Sequence, residues 1–110
     1  LDGMNVLVVL VTFPDLEKAR SIGKRLVESR LAACVNLLPA IESIYQWQGK
    51  VEQSSEVLGI FKTAPEAWPA FEAALKAAHP YEVPEIVAVK PEAVSESYAR
   101  WVGDSVQAHG

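Results

Sequence analysis

The chain has 110 residues, of which half are apolar and 22% are charged, and its formal net charge is −4. This length predicts a single domain that can bury a core without disulfides or a structural metal ion, and the composition excludes a disordered chain. The acidic balance, with basic residues spread among glutamates, disfavours nucleic-acid binding, which needs a clustered basic face.

The cysteine count and the lack of targeting segments bear on the compartment. Cys34 is the only cysteine, so the chain forms no internal disulfide and a reducing compartment fits best. No signal peptide is apparent, and the longest apolar run, Val6 to Val11, is far short of the ~20 residues that a membrane span needs. We therefore predict a cytoplasmic protein with no membrane partner. We interpret Leu1-Asp2-Gly3 as a cloning remnant and residues 1–110 otherwise as one domain.

The first predicted elements are a strand and a helix. The uninterrupted run from Val6 to Val11 is typical of a strand buried on both faces, and Pro14 ends it because proline cannot donate to a ladder. Asp15 is placed to cap a helix. An amphipathic helix is predicted over residues 16–30 from apolar positions at helical spacing, namely Ala19, Ile22, Gly23 and Leu26.

A long hairpin follows. The second strand runs over residues 32–38, is interrupted at Pro39 and continues extended over residues 41–48. Gln48-Gly49 offers a two-residue turn, so residues 51–62 must return antiparallel as the longest strand. The outer half of this hairpin, residues 45–56, exceeds what two helices can cover. Because uncovered strand edges are a liability, the sequence predicts association with further copies of the chain.

The remaining elements complete the fold prediction. Thr63 and Glu66 have capping-box spacing, although Pro69 also permits a helix that begins near Trp68. A last core strand is predicted over residues 85–90, and Ser95 is expected to cap a short C-terminal helix. The order β-α-β-β-α-β with a trailing helix predicts the α+β ferredoxin-like fold, in which helices pack on one face of an antiparallel sheet.

The segment HPYEVPEI, residues 79–86, holds the first candidates for a site. His79 is the best candidate for metal binding or acid–base chemistry, and Glu82 lies three residues further on. The competing interpretation is a histidine that ends a helix and is stabilised by the helix dipole. One histidine and one carboxylate are too few for a closed zinc site, so a metal site would have to be shared between subunits. We expect His79, Tyr81 and Glu82 to line a cleft.

The hairpin carries the other candidates. Tyr45 and Trp47 share one face of an exposed strand, which is typical of an interface, and we expect Glu52 and Glu56 to meet a neighbouring subunit. Glu56 and Lys62 lie on the same face of the returning strand, six residues or ~20 Å apart, so each must find another partner.

Catalysis is not predicted. No pairing of a nucleophile with a base can be identified, and the chain has no glycine-rich phosphate loop. Cys34 lies in an apolar strand, so we interpret it as a buried and inert packing residue. We therefore predict that the protein is not an enzyme.

Several short segments between residues 6 and 102, taken in order, resemble the CutA family, the divalent-cation-tolerance proteins. A single segment is a weak signal, whereas the ordered set is specific. The matching segments are Thr12-x-Pro14, Leu31-Ala32-Ala33-Cys34-Val35-Asn36, Pro39-x-Ile41-x-Ser43-Ile44-Tyr45-x-Trp47-x-Gly49-Lys50-x-Glu52, Glu56, Lys62-Thr63, His79-Pro80-Tyr81-Glu82-x-Pro84-Glu85-Ile86 and Tyr98-x-x-Trp101.

The resemblance implies a ferredoxin-like fold and a homotrimer in which hairpins pair across subunits, in agreement with the uncovered hairpin. It also implies a role in tolerance to copper and other divalent metal ions, usually in the cytoplasm. The trimer of this family in turn resembles signalling proteins of the PII type, which bind small effectors in clefts between subunits.

Two positions depart from the relatives that are credited with copper binding. Val11 stands where they can carry a cysteine, and Ala78 stands where they can carry a second histidine, so only His79 of that set remains. We expect weak binding of copper or another divalent metal ion through His79 and Glu82. The alternative is a PII-like sensor or scaffold that holds a small anionic ligand in a cleft with Lys62, Glu56 and Tyr81.

Overall fold

The computed structural model describes residues 5–106, so the interpretation of Leu1-Asp2-Gly3 falls outside the described residues. The four strands form one antiparallel sheet in the order β2-β3-β1-β4. The predicted ferredoxin-like fold with a C-terminal helix is confirmed. The elements are β1 (Leu7–Phe13), α1 (Leu16–Glu28), β2 (Cys34–Trp47), β3 (Lys50–Thr63), α2 (Trp68–Ala78), β4 (Ile86–Val89) and α3 (Glu96–Ser105).

Helix α1 begins and ends where local chemistry dictates. The carboxylate of Asp15, whose backbone is extended, accepts the N–H of Lys18 at 2.7 Å, which confirms the predicted cap. The helix ends at Glu28, two residues earlier than predicted, because Arg30 adopts a φ of 63° that no helix continues. The guanidinium of Arg30 donates to the carbonyl oxygens of Asp104 and Ser105, and so ties this end of α1 to α3.

The core lies between the sheet and the two longer helices. Phe61 and Phe71 are fully buried and meet edge to face with ring centroids 5.2 Å apart. Alternate residues of β1 point into this core because side chains alternate along a strand. The buried residues of α1 are those predicted from helical spacing, namely Ala19, Ile22, Gly23 and Leu26.

The other face of the sheet is left largely uncovered by residues 5–106. Val9 and Val11 are fully buried, but Val8 and Leu10 are only half-buried because α1 and α2 both pack on the opposite side. The prediction that β1 is buried on both faces is therefore wrong for one chain. We call this surface the open face, and its apolar side chains are Val8, Leu10, Leu38, Leu58, Ile60, Val87 and Val89.

The hairpin is longer than the rest of the sheet. Gln48 and Gly49 have φ values of 51° and 80°, as a primed two-residue turn requires. Strand β2 continues through the predicted interruption at Pro39, and the irregularity appears instead as a register shift between Leu38 and Ile41. Because β1 pairs with β3 only as far as Val57, residues 41–56 project beyond the sheet. We call residues 41–56 the ribbon.

The capping predictions for the later helices differ from the structure. The Thr63 hydroxyl does not form a capping box but donates to the buried carbonyl of Leu31 at 2.6 Å. A 3-10 turn over Pro65–Ala67 precedes α2, which begins at Trp68 with a proline in its first turn. Ser95 lies at the N-cap of α3, but its side chain makes no capping hydrogen bond.

Helix α3 closes a second, smaller core. Its buried residues, Ala99 and Val102, pack against Val6 and Ala33. Between residues 5 and 106, none of the helices has both the length and the apolar character needed to cross a membrane.

Candidate functional site

His79 follows α2 directly and lies inside the protein rather than in an exposed turn. Its side chain is 7% exposed, and its ring stacks on Phe13 with centroids 5.2 Å apart. The Nδ1 atom accepts the backbone N–H of Tyr81 at 3.1 Å, so the proton of the neutral ring belongs on Nε2, which donates to the carbonyl of Thr12 at 2.8 Å. Both ring nitrogens are therefore engaged within the chain.

The loop after His79 carries Tyr81 to the base of the ribbon. The Tyr81 hydroxyl donates to Glu56 Oε2 at 2.5 Å, and Glu56 is 7% exposed. Burial raises the pKa of Tyr81 above its ordinary value, and the hydrogen bond to Glu56 raises this pKa further. The structure thus brings together two of the three residues predicted for the ligand cleft. Glu56 does not simply protrude from the hairpin, as its grouping with Glu52 had suggested.

Lys62, the third residue predicted for the cleft, lies near the other end of β3. Its ammonium group donates to the side-chain oxygen of Asn36 on the neighbouring strand. By strand alternation Lys62 shares the open face with Glu56, and the two residues stand ~20 Å apart along the strand. A cleft that holds Lys62 together with Glu56 and Tyr81 therefore does not exist within one chain.

The residues predicted to bind a metal ion do not form a metal site within one chain. Glu82 is exposed, whereas His79 would have to give up the N–H of Tyr81 before its Nδ1 could bind an ion. Within residues 5–106, no three side chains of the histidine, cysteine, aspartate and glutamate types lie close enough to hold a metal ion. A closed zinc site needs four ligands, more than residues 5–106 bring together within one chain.

The ribbon displays its aromatic residues to solvent. Tyr45 and Trp47 are 43% and 40% exposed, and Ile44 and Val51 on the opposite face are 67% and 69% exposed. The Tyr45 hydroxyl lies 3.4 Å from that of Ser54, and Glu52 is exposed opposite Tyr45. The coverage of Tyr45, Trp47 and Glu52 by another subunit stays a prediction.

A groove that the sequence did not indicate lies beside Cys34. Cys34 is half-buried rather than buried, and its sulfur lies 3.4 Å from the Tyr98 hydroxyl. The hydrogen bond to Cys34, together with burial, raises the pKa of Tyr98 to about 12. The groove has a volume of about 700 Å³ and is lined by residues that include Arg20, Lys24 and Trp101. The Tyr98-x-x-Trp101 spacing was the only signal in the sequence, and nothing linked it to Cys34.

The fold and these side chains define a small ferredoxin-like α+β protein with a projecting ribbon, a buried histidine at the end of α2 and an uncovered sheet face. The family model for the CutA1 divalent ion tolerance protein matches residues 7–105. The chain therefore belongs to the CutA1 family, and the resemblance seen in its motifs is confirmed.

Individual relatives agree with this assignment. The divalent-cation tolerance protein CutA of Thermus thermophilus is 48% identical over 98 residues, which cover 89% of this chain and 95% of that protein. The mouse protein CutA is 45% identical over 98 residues, and the chain spans only 55% of its length. The crystal structure of CutA1 from Oryza sativa superposes with a TM-score of 0.92 at 35% identity and covers 97% of this chain and 99% of its own.

Proposed function

We propose that this chain functions as a homotrimer of the CutA type in tolerance to divalent cations, that it catalyses no reaction, and that it acts in the cytoplasm. The family assignment supports the role in cation tolerance, because the relatives carry that role in their names. The single cysteine supports a reducing compartment. The relatives are named as divalent-cation tolerance proteins and not as enzymes, which supports a role that does not involve catalysis.

The observation that supports the proposed homotrimer is that two surfaces of the chain, the open face and the ribbon, are uncovered. The open face presents seven apolar side chains, and Leu38, Val87 and Val89 are each more than two-fifths exposed. The ribbon adds unpaired backbone along the part of β3 that extends beyond β1. Contiguous exposed apolar surface and free strand edges both mark places where another chain binds.

Light scattering during size-exclusion chromatography tests the homotrimer. We expect a mass of three chains that persists on dilution to nanomolar concentration. A folded monomer, with the circular dichroism of the intact α+β fold, would contradict the proposal.

We propose further that copper or another divalent cation binds weakly, through Glu82 and ligands from more than one subunit. Glu82 is exposed in the loop that follows His79. Further ligands must come from another copy, because the described residues of one chain do not bring three possible ligands together. Calorimetric titration with cupric and zinc ions tests this, with Glu82→Gln as the matched variant. We expect the weak heat of binding to be lost in Glu82→Gln.

The same titration decides the predicted role of His79. If His79→Ala alone abolishes binding, the histidine gives up the N–H of Tyr81 to bind the ion. If binding survives in His79→Ala, the imidazole is a structural group and the ion binds without it. Isotherms without heat for the unmodified protein would remove the metal-binding proposal altogether.

The second candidate is a PII-like sensor of a small anion. The observation that favours it is Lys62, whose ammonium group contacts the neutral amide of Asn36 and, among residues 5–106, forms no ion pair with a carboxylate. A screen of anionic metabolites by thermal shift tests this candidate, with Lys62→Met as the variant in which a true shift disappears. A screen without shifts would contradict it.

A further inference from the structure

A strip of four residues on the open face ends in opposite charges. Strand alternation places Glu56, Leu58, Ile60 and Lys62 side by side on this face of β3. The structure records ion pairs between Glu72 and Lys76 and between Glu96 and Arg100, but among residues 5–106 neither Glu56 nor Lys62 takes part in one. The strip therefore has an apolar middle and one unmatched charge at each end.

The negative end of the strip, Glu56, is in an energetically unfavourable environment in the single chain. Glu56 is more than nine-tenths buried, and its recorded hydrogen bond is the one from the neutral hydroxyl of Tyr81. A carboxylate that is removed from water needs a charged partner as well as hydrogen bonds, because a single neutral donor replaces little of its hydration. Besides Glu56, the ionisable groups that raise the pKa of Tyr81 are Tyr45 and Asp15, and neither of them carries a positive charge.

The positive end of the strip, Lys62, likewise forms no ion pair among residues 5–106. Lys62 is half-buried, and its ammonium group contacts the amide oxygen of Asn36, which carries no net charge. Glu56 cannot serve as its partner in the same chain, because six residues of extended strand separate the two by ~20 Å. Each end of the strip matches the opposite end of the same strip on another copy.

We propose that Glu56 of each copy forms an ion pair with Lys62 of the partner subunit, across an interface whose centre is the apolar part of the open face. This inference rests on the proposed homotrimer and names the charged contact that orients it. A closed ring uses two different patches of each subunit, and one chain carries both members of this pair. Apolar side chains between two charged ends also match the usual arrangement of an interface, with an apolar core and charges at its margin.

The pair sets the orientation of the subunits more than it adds affinity. The desolvation of two charges offsets much of their attraction, whereas an unmatched charge at an interface is strongly unfavourable. Copies that are docked in the wrong direction would place Glu56 against Glu56 or Lys62 against Lys62. We therefore expect reversal of one charge to weaken assembly far more than reversal of both.

Zero-length carbodiimide cross-linking tests the contact directly. An equal mixture of unlabelled and nitrogen-15-labelled protein is unfolded, refolded together and treated with the carbodiimide, and the digest is examined by mass spectrometry. We expect a Glu56–Lys62 cross-link that contains one labelled and one unlabelled peptide. Cross-links of Lys62 only to other carboxylates would overturn the inference.

Charge reversal tests the energetics. We expect Glu56→Lys and Lys62→Glu each to raise the dissociation constant of the trimer more than tenfold, and the double variant to restore most of the affinity. Glu17→Lys and Lys24→Glu are matched controls at exposed positions on α1, which packs on the opposite side of the sheet, and they should have little effect. Because Glu56→Lys could prevent folding, Glu56→Gln is measured as well, since its amide oxygen still accepts from Tyr81.

The outcomes separate this inference from the proposed function. If the unmodified protein is a monomer, the homotrimer fails and the ion pair fails with it. If it is a trimer but the double variant is no tighter than the single ones, the ion pair alone is wrong. If Glu56→Gln leaves assembly unchanged while Lys62→Met abolishes stabilisation by an anion, Lys62 binds that anion instead and the inference is overturned.

Discussion

The two halves of the long hairpin differ in what covers them. The inner half of β3, residues 57–63, pairs with β1 and β2, and the core on its helix-facing side, where Phe61 packs beneath two helices, is complete in one chain. The ribbon, residues 41–56, pairs with no other strand of the described chain and leaves Ile44, Tyr45, Trp47 and Val51 at least two-fifths exposed. Continuous strands thus run from a region whose helix-facing side is buried within the chain into a region that is exposed on both faces.

This difference separates two uses of apolar residues. On the helix-facing side of the inner half they stabilise the fold of the chain, because burial removes them from water on folding. In the ribbon similar residues stay in contact with water until another molecule covers them, so their contribution is to association. Substitutions in the two regions should therefore change different measured quantities.

The largest effect is expected in the inner half, for Phe61→Ala. Phe61 is fully buried against Phe13 and Phe71, so the truncation leaves a cavity among aromatic rings and should lower the free energy of unfolding by about 3–5 kcal/mol. Urea unfolding followed by circular dichroism measures this loss. Val83→Ala, at a side chain that is 68% exposed, is the control and should change it by less than about 0.5 kcal/mol. Equal losses in the free energy of unfolding for Phe61→Ala and Val83→Ala would contradict the distinction between buried and exposed apolar residues.

A smaller effect, on assembly rather than on the chain, is expected for Trp47→Ala in the ribbon. Tryptophan is a frequent hot spot at interfaces, so its removal should weaken association by about 2 kcal/mol, or roughly thirtyfold in the dissociation constant. Sedimentation velocity over a dilution series measures this shift. Gln46→Ala, at the adjacent residue on the other face of β2, is the matched control. Unchanged association in Trp47→Ala would show that the ribbon does not contribute to the interface.

The sequence predicted the features of the fold that depend on local chemistry. Asp15 could be assigned as a cap and Gln48-Gly49 as a turn because each acts through its own backbone. The half-buried state of Leu10 could not be predicted, because it depends on both helices packing on one side of the sheet. An uninterrupted apolar run looks the same whether its second face is covered by the same chain or by another.

The candidate site was predicted less completely, since it depends on contacts between distant segments. Pro80 suggested an exposed turn around His79. The pairing of β4 with β1 stops at Val11, however, and the carbonyl of Thr12 just beyond it accepts a hydrogen bond from the imidazole. Likewise nothing in the sequence linked Glu56 to Tyr81, although both were predicted as cleft residues.

A local effect confined to the helix-covered half is expected for Asp15→Ala. The change removes the acceptor for the N–H of Lys18 and should lower the free energy of unfolding by about 1 kcal/mol. Chemical denaturation measures the loss, and the dissociation constant of the assembly should stay unchanged because the cap lies on α1. Asp15→Asn retains an acceptor and should recover most of the stability. A full loss in Asp15→Asn would show that charge, and not capping, is the cause.

The smallest effect concerns Tyr98, whose pKa is raised to about 12 by its hydrogen bond to Cys34 and by burial. In the unfolded chain this tyrosine ionises near pH 10, so the unfolded state releases the proton first as the pH rises. The contribution of Tyr98 to stability is therefore complete below about pH 10 and is lost as the pH rises from there through about 12.

Tyr98→Phe should accordingly flatten the alkaline decline in the free energy of unfolding over this window, and should leave the values near neutral pH almost unchanged. Cys34→Ala offers the sharper control, because it keeps the tyrosine and removes the partner that does most to raise its pKa. Tyrosinate absorbance should then show Tyr98 ionising closer to its ordinary pH. An unchanged titration in Cys34→Ala would mean that burial alone holds the proton, and that the thiol beside the groove has no electrostatic effect on it.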